Sequence, residues 1–481
     1  MRAPAKRLAR VIGLVGSNPT PSAIIEIDHD KGNEMETVQD LTNLTVRESA
    51  DWQSPPRYYT WTVGCQMNKA DTERLESALS QMGFLATTTA SDADVIVLNS
   101  CVVRQSAEDK VVGTITSLKP LKKAKPTTVL AVMGCMVGPN QQSQLQKTFP
   151  YVDVFMQPQQ YKPLLDLLGN KLDMDWEGCV GTLAPINPEV TTYVPIIHCC
   201  DEMCSFCIIP YKRGREVSRT IDDIVNEIEH LVLRGVREVT LLGQTVDAYG
   251  NDFQNKTDLA DLLEAVNEIS GIDRIRFLTS HPNYMSKRII DAVASLPKVC
   301  EHINIPIQAG SDRILEQMRR PYTVQKYLSI IDTIRSTIPS VSLSTDIIVG
   351  FPGETREDFE GTLDVLKKVG FDKVHTAAYS PRPGTIASRK LPDDVSKEEK
   401  QDRKHLLEDI QQTINSKINE TYNGNQYEVL VEGHERGHWK GRTRTDKIVF
   451  FDSTAELLGQ LVTVNIQSTG PWSLKGSLVQ N

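Results

Sequence analysis

A short apolar, β-rich run that ends in a cysteine recurs along the first third of the chain, and it constrains the fold more than any other feature. The runs are YYTWTVGC to Cys65, DVIVLNSC to Cys101 and TVLAVMGC to Cys135. Helical periodicity follows the first in ADTERLESALSQMGF, with Gly83 as a C-cap, and the second in SAEDKVVGTITSLKPLKK. Strands alternating with helices predict a parallel sheet, whose ligands bind beyond the carboxyl ends of the strands. The cysteines lie 36 and 34 residues apart, yet this topology puts all three at strand ends on one edge of one sheet. A single cysteine there reads as a small buried hydrophobe. Three in register, each preceded by Gly or Asn-Ser, read as thiolates that share a cluster.

Ordered structure is expected from Arg57. The stretch from Leu172 to about Thr192 carries Gly178, Gly181, Pro185 and Pro188 and reads as a domain boundary. A second strand–helix series follows, with strands expected at 193–197, 237–242, 274–278, 302–306, 341–349 and 373–379. Helical stretches such as IDDIVNEIEHLVLRG and REDFEGTLDVLKKVG separate them. Six βα units predict a (β/α)6 partial barrel that works at its C-terminal rim. The charged helix SKEEKQDRKHLLEDIQQTINSKINE closes this part. Beyond it, NQYEVLVEG and KIVFFD alternate with Gly turns, as in a small all-β barrel. The class is α/β, with domains at 57–172, 185–417 and 420–481. Residues 1–56 read as a disordered tail. Arg2, Lys6, Arg7 and Arg10 could also mark a transit peptide, or Met35 the true start, and the sequence leaves these open.

A chain of 481 residues has room for about three domains. With 40% hydrophobic and 24% charged residues it has the composition of a soluble globular protein, and no run is long and apolar enough for a membrane helix. A net charge of -9 speaks against a nucleic-acid partner on average, but not against a local basic surface. Nine cysteines, an odd number, are too few for a disulfide scaffold and suit metal binding better.

The chemistry is most legible in Cys200-Asp-Glu-Met-Cys204-Ser-Phe-Cys207, directly after the first barrel strand. Three thiolates in eight residues can wrap one [4Fe–4S] cluster and leave its fourth iron open. A structural zinc site would want four ligands. Cys199 is a possible substitute ligand, although it does not match the spacing.

This Cys-x3-Cys-x2-Cys run at the start of a βα barrel resembles the radical S-adenosylmethionine superfamily. The likeness extends over about residues 57–481. GCQMNKADTERLESAL, NSCVVRQSAEDKV and VMGCM resemble a methylthiotransferase N-terminal domain. CSFCIIPYKRGREVSR, LLGQTVDAYG, TSHP, IPIQAGSD, TDIIVGFPGET and SPRPGTIA resemble the same family's barrel blocks. The segment 421–481, with GRTRTDKIVF, resembles a TRAM barrel. Gln66-Met67-Asn68 after Cys65 is similar to the tRNA-2-methylthio-N6-dimethylallyladenosine synthase family; ribosomal-protein methylthiotransferases usually carry Pro-Lys-Asn there. Departures from the family are Cys199 for Gly, Thr245 for Asn and Asp446 for Asn, none at an expected ligand.

The resemblance implies two [4Fe–4S] clusters, an auxiliary one on Cys65, Cys101 and Cys135 and a reducible one on Cys200, Cys204 and Cys207. It implies S-adenosylmethionine on the open iron, cleaved to an adenosyl radical that opens the C2–H bond of an isopentenylated adenosine at tRNA position 37. Gly243, Gln244, Thr279, Ser280, Gln308 and Asp346 are strand-end positions suited to the cofactor or the adenine, or else turn formers. Implied partners are the tRNA anticodon loop and a reductant such as flavodoxin or ferredoxin, with no membrane, for a cytoplasmic monomer. Arg436, Lys440, Arg442, Arg444 and Lys447, with Trp439, Phe450 and Phe451, form a basic and aromatic group that suits RNA, or an ordinary charged loop. Lys212, Arg213, Arg215 and Arg219 form a second group beside the cysteine loop. The terminal barrel is expected to act as a separable RNA anchor. Rival readings are a threonylcarbamoyladenosine methylthiotransferase, a non-catalytic iron–sulfur RNA-binding or electron-transfer protein, and a zinc module at Cys199–Cys207.

Overall fold

The computed structural model describes residues 55–139 and 141–479. The expected tail and Met35 lie outside the described residues, apart from Pro55 and Pro56.

The first described element is β1 (Arg57–Thr62), followed by the strands β2 (Leu85–Ala86), β3 (Val95–Ser100), β4 (Val129–Gly134) and β5 (Val154–Met156). They form one parallel sheet in the order β2-β1-β3-β4-β5. The edge strand β5, in YVDVFM, had no cysteine to signal it. Both β3 and β4 are buried throughout, because helices cover both faces, so each reads as an apolar run, which in β3 closes on the buried polar pair Asn99-Ser100. Ile96, Leu98, Leu130 and Val132 face Val111 and Ile115 of α2 (Gln105–Ala124), which follows α1 (Gln66–Gln81). The alternate residues Val95, Val97, Val129 and Ala131 face Leu75 and Leu79 of α1. Leu164 and Leu168 of α4 (Lys162–Leu172), which follows α3 (Gln142–Thr148), complete that face. The period of two thus sorts one strand set between two cores.

The second series gives β6 (Thr191–Pro195), a short antiparallel pair β7 (Ile197–His198) and β8 (Val217–Ser218), then β9 (Glu238–Leu242), β10 (Arg274–Phe277), β11 (His302–Asn304), β12 (Ser342–Val349) and β13 (Lys373–Ala378). Two parallel sheets, β6-β9-β10 and β11-β12-β13, meet at a seam. There Cys300 N donates to Ile275 O at 2.9 Å and Ser280 N to Asn304 O at 3.1 Å. The six strands form the expected partial barrel. Its helices are α5 (Ile209–Arg213), α6 (Ile221–Leu233), α7 (Leu259–Asn267), α8 (Lys287–Ser295), α9 (Asp312–Gln317), α10 (Val324–Thr337), α11 (Arg356–Val369), α12 (Ile386–Lys390) and the closing α13 (Lys397–Glu420). Capping boxes at Asp258 and Thr355 start α7 and α11.

The last part is a closed barrel, β14-β15-β16-β18-β17, from β14 (Gln426–Glu435), β15 (His438–Thr443), β16 (Ile448–Asp452), β17 (Leu461–Thr469) and β18 (Leu474–Leu478). Its β15–β16 turn seats against the N-terminal ends of the larger barrel's strands. Arg276, buried, donates Nε to Glu238 Oε1 at 2.9 Å and its two Nη groups to the carbonyls of Thr443 and Arg444, both at 2.7 Å. Arg274, fully buried, reaches Arg442 O at 2.6 Å and Glu428 Oε1 at 3.0 Å. In return Arg444 pairs with Glu301 at 2.8 Å and Lys447 with Asp372 at 2.7 Å.

This docking corrects part of the expected RNA face, while Arg436 stays exposed and Lys440 and Phe450 half-buried. Arg442 is held by Glu432 and Asp446, while Arg444 and Lys447 point into the domain contact. Trp439 and Phe451 belong to the small barrel's own core, where no base could stack on them. Arg213 and Arg219, from the second basic group, are buried in ion pairs with Asp71 and Glu227. Arg215 remains 88% exposed, and the exposed aromatic of the small barrel is Trp472.

Asp446 sits at the centre of the docked turn with φ +62°, a conformation that Asn and Asp tolerate better than most residues. Burial alone would raise its carboxyl pKa, but His302, Arg442, Arg276 and Lys373 outweigh burial and hold it below the usual carboxylate range. A depressed folded-state pKa contributes stability above the unfolded pKa of about 3.9, and that stability is lost as pH falls through the folded value. Asp446→Asn is therefore expected to be less stable than the native chain at neutral pH. In urea unfolding at a series of pH values the gap should hold constant above about pH 5 and narrow below about pH 4. A gap that does not change with pH would show that the carboxylate charge contributes nothing.

Candidate active site

Cys65 is the N-cap residue of α1, Cys101 directly follows β3 and Cys135 directly follows β4. Since β1, β3 and β4 are adjacent and in register, with Thr62 opposite Asn99 and Ser100 opposite Gly134, the three cysteines leave the sheet on one edge. Side chains beneath them lock the loops. Asn68 Nδ2 donates to Asn99 Oδ1 and to Ser100 O, both at 3.0 Å, and Asn99 Nδ2 donates back to Asn68 O at 2.8 Å. Ser100 Oγ bonds Met133 O at 2.6 Å and accepts from Met136 N at 3.0 Å. Glycine is required at two of these turns: Gly64, at φ +144°, would put a Cβ 2.8 Å from that of Cys101, and Gly134, at φ +97°, would drive one into Asn99 and Ser100. Only Asn68 and the Asn-Ser pair were visible in the motifs, and their mutual bonding was not.

The second trio lies in the loop framed by β7 and α5. Cys200 Sγ is 3.4 Å from Thr245 Oγ1 and accepts from Glu202 N at 3.4 Å. Arg320 Nη1 donates to Cys204 Sγ at 3.4 Å, and its Nε holds Tyr322 OH at 2.8 Å. Thr245, one of the departures from the family pattern, therefore does touch an expected ligand. Burial pushes the thiols of Cys101 and Cys200 up to about 11 and that of Cys207 up to about 12. Such thiols stay protonated until a metal removes the proton.

The two trios meet across one domain contact. Cys135 and Cys200 share an apolar cluster with Met136, Val137, Ile208 and Ile209. Arg213, at the end of α5, donates Nε to Cys135 Sγ at 3.1 Å and Nη2 to Asp71 Oδ2 at 3.3 Å. A second ionic contact, Arg74–Glu227–Arg219, ties α1 to α6. Cys199 has φ +66°, which explains why glycine is usual there, and its Sγ donates to Arg213 O at 2.8 Å. Its thiol is thus engaged with α5.

The barrel rim carries the expected cofactor positions, with differences. Gly243 follows β9, and a Cβ there would strike Ile197; Gln244 beside it is half-buried. Thr279 and Gln308 both adopt left-handed backbone, at φ +70° and +73°, which is strained for any residue but glycine and more so for β-branched Thr. Thr279 N donates to Asn304 Oδ1 at 3.1 Å, and Gln308 N to Asp346 O at 2.9 Å. Asp346 is not at a strand end but inside β12, because β12 runs longer than its neighbour β11. Buried side-chain atoms without a hydrogen-bond partner collect near this rim: Ser280 Oγ, His281 Nε2 (4.0 Å from Glu202 Oε2), Thr376 Oγ1 and Tyr379 OH. Burial lowers the His281 pKa to about 3, so its ring is neutral, and His281 N is held by both oxygens of Asp247 at 2.9 Å. His281 and Asn304 were missed by sequence reasoning, although TSHP contains the histidine.

Among the described residues no three His, Cys, Asp or Glu side chains converge on a single metal ion. A four-iron cluster instead places each thiolate on a different iron, and N–H donors at the sulfurs, as at Cys204 and Cys135, are a normal feature of such sites.

Comparison with known proteins identifies the family. Residues 194–366 match the radical SAM superfamily, 57–157 match "Uncharacterized protein family UPF0004" and 420–479 match the TRAM domain. The tRNA-2-methylthio-N6-dimethylallyladenosine synthase of Herpetosiphon aurantiacus is 48% identical over 426 residues, covering 88% of this chain and 97% of that protein. The chain belongs to the tRNA-2-methylthio-N6-dimethylallyladenosine synthase family. The Acetivibrio thermocellus synthase is 42% identical over 457 residues, covering 92% and 95%. Among solved structures, the radical S-adenosylmethionine methyltransferase TsrM of Kitasatospora setae aligns with TM-score 0.51 at 14% identity, covering 70% of this chain and 77% of that one, a likeness of fold. As a radical SAM member of the synthase family, the chain works with S-adenosylmethionine and an iron–sulfur cluster. No helix among the described residues is long and apolar enough to cross a membrane.

Proposed function

We propose that this protein converts N6-dimethylallyladenosine at position 37 of tRNA to its 2-methylthio derivative. The observation that carries the proposal is the meeting of two cysteine trios at one contact, with Arg213 reaching from the loop of one to a ligand of the other. Cys200, Cys204 and Cys207 would hold a reducible [4Fe–4S] cluster and Cys65, Cys101 and Cys135 an auxiliary one. S-adenosylmethionine would bind between the first cluster and the barrel rim. When bound, these groups supply the one-electron reductant, the sulfur and the methyl group needed to open an aromatic C–H bond that has no acidic proton.

The chain's own part is to hold and to exclude. Arg320 fixes Cys204, Thr245 borders Cys200, and the Asn68–Asn99 pair fixes the loops of the auxiliary trio. Gly243, Gln244, Thr279, Ser280, Gln308 and Asp346, joined by His281, would line the cofactor and adenine. The orphaned atoms of Ser280 and His281 fit this role, since buried polar groups without partners cost roughly 1–3 kcal/mol until a ligand satisfies them. Arg215 and Trp472 remain accessible for a tRNA anticodon loop. We assign domains at 57–172, 185–417 and 420–481, and a monomer in the cytoplasm reduced by a flavodoxin- or ferredoxin-like donor.

The test is anaerobic reconstitution, followed by product analysis with reductant, S-adenosylmethionine and isopentenylated tRNA. About eight irons and a 2-methylthio nucleoside are expected. Cofactor cleavage with no nucleoside product would move the substrate to another modified base, and the absence of cleavage would overturn the enzyme.

A further inference from the structure

Arg213 is an unusual place to find a cation. Its side chain is 1% exposed, its ion-pair partner Asp71 is fully buried, and the two residues are 142 positions apart. Burying a guanidinium costs several kcal/mol unless its donors and charge are matched. Asp71 matches only part of it. One Asp71 oxygen accepts from Arg213 while the other accepts from Gln159 Nε2 at 2.9 Å, so the pair is not a bidentate fork. The Nε–H is directed to Cys135 Sγ at 3.1 Å. A neutral thiol accepts weakly, whereas a metal-bound thiolate is charged and accepts strongly. The arrangement is complete only when Cys135 is a thiolate. Three fixtures hold it in place. Tyr161 OH bonds Asp71 O at 2.9 Å, Cys199 Sγ bonds Arg213 O at 2.8 Å, and α5 begins two residues after Cys207.

We infer that Arg213, oriented by Asp71, is a positioning residue for the auxiliary cluster that raises its reduction potential by hydrogen-bonding the Cys135 sulfur. The inference rests on the proposed assignment of Cys65, Cys101 and Cys135 as ligands. A cation against one thiolate favours the more negative, reduced form of the cluster, and hydrogen bonds to cluster sulfurs act in the same direction. Asp71 opposes that effect by neutralising part of the guanidinium charge. The two residues therefore pull the potential in opposite directions, a signature that loss of packing alone would not give.

The experiment is an anaerobic redox titration of the reconstituted full chain followed by electron paramagnetic resonance. A C200A/C204A/C207A chain identifies the auxiliary signal. Arg213→Gln should make the auxiliary potential more negative by at least tenfold in the reduction equilibrium, about 59 mV for a one-electron couple. Asp71→Asn should shift it the opposite way, and Arg213→Lys should fall between native and Gln. The potential of the Cys200–Cys207 cluster should stay in place throughout. If Arg213→Gln loses its iron, Arg213→Lys and Asp71→Asn, which keep a cation at the site, decide the matter. Shifts of one sign in all variants, or none with iron retained, overturn the inference while leaving the two-cluster assignment standing. A C200A/C204A/C207A chain that takes up no four-iron cluster overturns the assignment itself, and the inference with it.

Discussion

Arg276→Ala should lower the stability of the whole chain by about 3–5 kcal/mol, the usual cost of removing one partner from a buried ion pair. The substitution leaves Glu238 buried without its cation and strips donors from the carbonyls of Thr443 and Arg444. Arg276→Lys keeps the charge but not the planar fork, and should recover only part of the loss. Urea unfolding of the full-length protein measures it, and a change within about 0.5 kcal/mol, typical of surface substitutions, would show that the contact carries no stability. The same interface alters what deletion of 421–481 should do. As a separable RNA anchor, the small barrel could be removed while both clusters still assembled. With Arg274, Arg276 and Asp372 all partnered across the contact, its removal is expected to loosen the larger barrel as well. A truncated chain that binds iron like the native one would restore the simpler view.

The second large effect is expected at Cys65. Cys65→Ala should abolish methylthiolation while leaving reductive cleavage of S-adenosylmethionine, and bound iron should fall from about eight to about four per chain. Cys65 suits this test because it is exposed at the start of α1, so replacing it leaves no cavity in the sheet. Iron, cleavage and nucleoside product are measured on one preparation. Loss of cleavage together with product would mean that the trios do not work as separate sites, and retained product would remove Cys65 from the ligand set.

Much of this architecture is legible in the sequence, for reasons specific to certain residues. The runs ending at Cys101 and Cys135 are largely apolar because helices cover both faces of β3 and β4, and with the half-buried run ending at Cys65 they mark adjacent parallel strands. The spacing of Cys200, Cys204 and Cys207 carries its chemistry within eight residues. What was not readable depends on distance along the chain or on direction. Asp71 and Arg213 meet across 142 residues, and Asn68 and Asn99 across 31. Arg442, Arg444 and Lys447 looked like an RNA face because a sequence records charge without showing where it points; Glu432, Glu301 and Asp372, which receive them, lie in other elements. The left-handed backbone at Thr279 and Gln308 has no signal in residue type, since neither favours it.

The seating of the β15–β16 turn on the larger barrel also bears on how the molecule comes into being. Arg274 and Arg276 wait for carbonyls that lie 167 and 168 residues further along the chain. Translation proceeds at about 5–20 residues per second, so these two arginines stay without those partners for roughly ten to thirty seconds after they are made. Contacts so distant in sequence also form late in folding, since the intervening loop must close before they contribute. The cysteine trios are translated well before the turn that finishes the base of the barrel. The cysteine loops, at the opposite ends of the strands, are therefore made before the base of the barrel is finished.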